Sequence, residues 1–147
     1  MEIDYNHIRQ VFDSLEIIDL TEFEFLGRSF KIWISEYTEK EREENRPAIF
    51  YCASTVTDGW DIYLPTQLKR IFRKPVIVHE SIEIILNEGF GREWVITIEE
   101  DDKNHAEAHN IAKSIDERYA RDTLSEQEFS EYLAVKKDYE KFTCKCC

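Results

Sequence analysis

At 147 residues the chain is the size of one domain and long enough to bury a core. Its hydrophobic content of 42% and aromatic content of 13% belong to a globular protein and exclude a disordered one. The net charge of -12, from 31 acidic residues against 19 basic ones, argues against a nucleic acid as partner, because a phosphate backbone needs clustered Lys and Arg.

Such acidity favours solubility and would suit a basic partner or mimicry of nucleic acid. Glu2 and Asp4 stand where a signal peptide would carry positive charge, and no apolar run approaches a membrane span. The expectation is a cytoplasmic protein with no membrane association.

In chain order, Asp4 to Ile18 reads as a first helix, with Asp4 as N-cap and Ile8, Val11, Phe12 and Leu15 on one face. From Phe23 to Ile34 apolar residues alternate on either side of Gly27, the pattern of a hairpin. Glu36 to Arg46 is densely charged and reads as an exposed loop or short helix ending at Pro47. Ala48 to Ser54 is expected to be a buried strand, with Cys52 as a small core residue. After a turn at Thr57-Asp58-Gly59, Trp60 to Leu64 is expected to pair back as another strand.

Pro65 is expected to open a short helix through Phe72, and the basic run Lys69 to Lys74 reads as the solvated end of a helix. Pro75 introduces the next helix, Val76 to Asn87, which Gly89 and Gly91 terminate. Trp94, Ile96 and Ile98 alternate within Glu93 to Glu99 and suggest an edge strand. Asp101 and Asp102 then cap a long helix to about Arg121. Ser125, with Glu128 three residues on, forms a capping box for a last helix whose apolar side includes Phe129, Tyr132 and Leu133.

The expected fold class is therefore α+β, a small antiparallel sheet in the first half packed against several helices in the second. Residues 1–143 read as one domain, followed by a Cys-rich tail at 144–147 that is expected to be disordered. Cys144, Cys146 and Cys147 match no standard four-ligand zinc spacing.

The candidate chemistry lies in two of these helices. His79 and Glu83 are four apart and so share a face one turn apart, while Ile77, Ile84 and Ile85 hold the other side against the core. Imidazole and carboxylate both ligate zinc and related divalent ions. On the long helix, Ala108, Ile111, Ala112, Ile115 and Tyr119 form a packing stripe. His109 falls within it and is expected to face inward toward His79, whereas His105, nearer the helix start, is expected to be exposed. His7 reads as a surface residue. A purely structural alternative holds His79 in a salt bridge to Glu83, leaves Glu80 in solvent and makes His109 a packing residue.

The string His79-Glu80-Ser81-Ile82-Glu83 resembles the His-Glu-x-x-His active-site helix of the zincin metallopeptidases, and the resemblance spans about residues 75–116. In that family the two His bind zinc and the Glu is a general base. The resemblance implies a zincin-like fold and a divalent ion, zinc by preference, on His79, Glu83 and a later third ligand. His109 is the first candidate for that ligand, with His105 and Asp116 as alternates. Glu80 would be the general base toward a metal-activated water, hydrolysing a peptide bond in an unidentified protein or peptide. Glu83 stands where the family has its second His, and a carboxylate there makes the metal a weaker Lewis acid. The competing expectation is a non-catalytic acidic interaction or inhibitor protein, with a structural metal site or none.

Overall fold

The computed structural model describes residues 4–35, 51–54, 59–66, 68–89 and 98–140. The first helix, α1, spans Tyr5–Asp13, and the Asp4 side chain caps it by accepting from the Asn6 amide at 2.9 Å. It stops earlier than the expected Ile18. Ser14 turns its hydroxyl back to the Gln10 and Val11 carbonyls at 3.3 and 3.0 Å, and the Leu15 amide bonds to Phe12 at 3.2 Å. Thr21 holds the next stretch, accepting from the Ile18 amide at 3.1 Å and so steering the chain into the first strand.

Strands β1 (Leu20–Phe25) and β2 (Arg28–Ser35) form the expected hairpin. Its two-residue turn has Leu26 at φ 48° and Gly27 at φ 76°, the pair of left-handed conformations that matches strand twist. A Cβ at Gly27 would meet nothing within 4 Å, so backbone conformation rather than space favours glycine there.

Strands β3 (Tyr51–Ser54) and β4 (Gly59–Pro65) pair antiparallel, with Cys52 opposite Ile62. The sheet order is β1-β2-β4-β3, and β2 runs parallel to β4. The fold is α+β as expected, but the sheet is mixed rather than wholly antiparallel. Each hairpin follows from local alternation. The join between hairpins is a long-range choice, made here by setting Ile32 opposite Ile62 on one buried face.

Of the short helix expected from Pro65 through Phe72, the described residues show only a 3₁₀ turn at its end, because β4 continues through Pro65, a residue tolerated at a strand end. The Leu68 amide bonds to the Pro65 carbonyl at 3.1 Å, and a 3₁₀ turn at Arg70–Phe72 leads directly into α2, Arg73–Gly89. Pro75 lies in the first turn of α2, where its missing N–H costs no hydrogen bond. Helix α3 spans Ile98–Thr123, so Ile98 and Glu99 are helical; the rest of the strand expected at 93–99 lies outside the described residues. So do the charged stretch 36–46 and the Cys-rich tail. After Leu124 and Ser125, α4 runs Glu126–Glu140. Its capping box is formed, with Ser125 N to Glu128 Oε1 at 2.9 Å and Glu128 N to Ser125 Oγ at 3.1 Å.

Helix α2 organises the molecule. Every residue from Pro75 to Leu86 is buried, so over this stretch the helix has no solvated face. It packs mainly on α3 and also touches α1 and β4. Phe12 of α1 meets Phe23, Phe25 and Tyr119 edge-on at 5.3 to 6.4 Å, joining sheet and helices in one core. Among the described residues no helix is long and apolar enough to cross a membrane.

Candidate metal centre

A stretch of helix buried on all sides should be apolar all round, yet α2 carries His79, Glu80, Ser81 and Glu83 at 0 to 3% exposure. Burying such groups is unfavourable unless they pair or ligate. His79 has a carboxylate at each ring nitrogen. Its Nδ1 lies 2.5 Å from Asp116 Oδ2 on α3, and its Nε2 lies 2.9 Å from Glu83 Oε2, one turn along α2.

His109 of α3 completes the cluster. Its ring stands edge-on to that of His79, with centroids 4.9 Å apart, and its Nδ1 is 3.6 Å from Glu83 Oε2. That separation is too long for a hydrogen bond, and the buried Nδ1 has no hydrogen-bond partner among the described residues. The His109 side chain is 27% exposed, against 3 to 4% for His79 and Glu83, so the cluster approaches solvent on its side.

One donor atom each from His79, Glu83 and His109 can be chosen within 4.8 Å of one another, a grouping that can hold a metal ion. Ligands at zinc–nitrogen and zinc–oxygen distances sit roughly 3.4 Å apart around a tetrahedron. The two separations to Glu83, 2.9 and 3.6 Å, bracket that spacing, while the group as a whole spans up to 4.8 Å. Two imidazoles and one carboxylate form a donor set of the kind that divalent ions accept.

Without metal, the electrostatics favour a proton in the ion's place. Burial opposes charge on His79, but Asp116 and Glu83 outweigh it and push its pKa up to about 10. Burial likewise opposes charge on Glu83, yet His109 and His79 draw its pKa down to about 2. The metal-free cluster is therefore an imidazolium held between two carboxylates.

The sequence-derived residues fall into place unequally. His79, Glu83 and His109 come together. Asp116, considered as an alternate ligand, sits instead against the Nδ1 of His79, outside the ligand group, where a carboxylate fixes ring orientation and tautomer. His105 lies on α3 one turn before His109, with its side chain outside the described ones. Glu80 is not in solvent as the structural alternative expected. It is 2% exposed, and its charge acts to raise the pKa of both His79 and Tyr132. His7 is partly buried and stacks on Phe25 at 5.7 Å.

Two members were missed in the sequence. Lys136 donates to Asp116 Oδ1 at 2.6 Å and Tyr132 donates to the same oxygen at 3.2 Å, both from α4. Their signal was a lysine four residues after a tyrosine on the apolar side of the last helix.

Fold and site together define an α+β protein with a buried histidine–carboxylate cluster able to hold a metal ion. Compared with known proteins, the chain matches no family model, no curated protein and no solved structure.

Proposed function

We propose that the protein binds a divalent metal ion, zinc by its donor set, through His79, Glu83 and His109, and uses it as a zincin-like hydrolase of peptide bonds. The observation that carries the reading is the buried Nδ1 of His109, without a hydrogen-bond partner among the described residues and 3.6 Å from Glu83. Such a nitrogen is costly to bury and is satisfied by a ligand bond.

A bound ion would supply Lewis acidity and lower the pKa of water at its open position. The chain's own groups would do the rest. Asp116 orients the His79 ring, His109 lines the more exposed side, and Glu80, buried directly after His79, would accept a proton from water. The peptide or protein substrate rests on the resemblance of His79-Glu80-Ser81-Ile82-Glu83 to the zincin helix.

Calorimetric titration of metal-free protein with Zn²⁺ tests the binding. One equivalent is expected, and none in His79→Ala or His109→Ala; equal uptake by all three proteins would refute the site. Glu80→Gln separates binding from hydrolysis: the variant should keep the ion and lose cleavage of peptide substrates. Undiminished cleavage removes Glu80 from the chemistry.

A second reading is favoured by one observation, the carboxylate at each nitrogen of His79. The same residues would then form a metal-free ionic network that fixes α2 to α3, in an acidic protein that acts by binding a basic partner. It predicts no Zn²⁺ uptake by the wild type, and removing His79 would cost about 3–5 kcal/mol of stability by leaving buried charges unpaired.

A further inference from the structure

We propose that Lys136 and Tyr132 are positioning residues of the metal centre, which lock Asp116 so that His79 offers its Nε2 to the ion. The inference rests on the metal-binding reading above and assigns α4 a part in it.

The two oxygens of Asp116 divide their work. Oδ2 faces His79 Nδ1 at 2.5 Å, while Oδ1 accepts from Lys136 Nζ at 2.6 Å and from the Tyr132 hydroxyl at 3.2 Å. A carboxylate held only by one imidazole can rotate about its own axis and let the ring turn with it. Two donors from a different helix fix the carboxylate plane, and the plane fixes the ring. Nδ1 then stays toward Asp116, and Nε2 is left toward Glu83 and the metal position.

The placement of Lys136 supports a role directed inward. It is only 9% exposed, although a lysine on the last helix of a small domain ordinarily reaches water. The carboxylate of Glu117, 28% exposed, lies 3.5 Å away, yet the closer contact is with fully buried Asp116. The Lys136 ammonium also lies 5.5 Å from the centre of the Tyr132 ring, so the two donors hold each other in place. The relay therefore crosses three helices: Lys136 and Tyr132 on α4, Asp116 on α3, and His79 on α2.

The test is a Co²⁺ titration of the full-length protein carrying Cys144→Ser, Cys146→Ser and Cys147→Ser, read by affinity and by the visible absorption bands of the bound ion. Lys136→Met should weaken binding by about 10–100-fold and shift the bands, the range found when a partner behind a metal-ligating histidine is removed. Tyr132→Phe should move both readouts the same way but less, and Lys136→Arg should restore them. Tyr5→Phe, which removes a hydrogen bond to Asp122 elsewhere on α3, should leave both unchanged. A folded Lys136→Met protein with wild-type affinity and bands overturns the proposal. Absence of Co²⁺ uptake by the parent protein is a failure of the metal reading instead. The imidazole ¹⁵N spectrum of the metal-free protein then decides the positioning role: loss of the His79 Nδ1–H signal in Lys136→Met supports it, and an unchanged signal overturns it.

Discussion

His79 sits between two carboxylates, and this makes its proton a measurable part of the metal-free protein's stability. Its pKa is raised from 6.5 to about 10, so its contribution is complete below pH 6.5 and is lost as pH climbs through 10. Glu83 is lowered from 4.5 to about 2, so its contribution is complete above pH 4.5 and fades as pH falls toward 2. In urea unfolding of metal-free protein, stability from this pair should therefore peak between these limits. His79→Gln should flatten the alkaline limb, and an identical pH profile in that variant would contradict the ionic pairing. Asp116→Asn should cost about 3–5 kcal/mol, because it leaves Lys136 and His79 without their buried counter-ion. A loss below about 1 kcal/mol would place the pair in the range of a surface salt bridge. At this scale the sequence was readable where spacing is local. His79 and Glu83 are four apart on one helix, so their proximity follows from helical geometry. Asp116 and Lys136 were not readable in their actual roles, since they join across separations of 37 and 20 residues that no local pattern encodes.

Among the elements, those governed by short-range chemistry matched expectation. The Ser125–Glu128 box and the Gly27 hairpin each depend on groups within a few residues. Ser125→Ala should lower stability by about 1 kcal/mol through loss of the N-cap acceptor, measurable as a drop in the urea midpoint; no change would mean the box contributes nothing. Leu26 occupies φ 48° at 37% exposure, a left-handed conformation unfavourable for leucine with little burial in return. Leu26→Asn should raise stability by roughly 0.5–1 kcal/mol, and a fall would show that the leucine makes contacts that matter more than its backbone. Other elements departed from the pattern for identifiable reasons. Helix α1 ends at Asp13 because Ser14 and Thr21 compete for backbone groups beyond it. In the sequence, α2 had its polar residues His79, Glu80 and Glu83 on one side and Ile77, Ile84 and Ile85 on the other, and only the structural alternative left Glu80 in solvent. All three polar residues are buried, and the pairing of His79 with Glu83 and Asp116 accounts for how that side can turn inward.

Across the whole molecule, α+β organisation was legible from the run of strand patterns followed by helical ones, whereas the parallel β2–β4 pairing was not. Alternation fixes which face of a strand is apolar but not which neighbour that strand takes. The residues that could hold an ion come from α2 and α3, and Asp116 extends their connections to α4, so binding of an ion should stabilise the fold as a unit. At an ion concentration 100 times its dissociation constant, linkage gives about 2.7 kcal/mol. For a domain near this size that corresponds to a rise in Tm of about 5–10 °C. His109→Ala should show no such rise.

The most direct test of the central claim is the metal content of full-length protein purified without chelator or affinity tag, with the three tail cysteines changed to serine. The account predicts one equivalent of a divalent ion in this protein and none after His79→Ala or His109→Ala. Metal-free parent protein, or metal retained in both variants, would contradict it.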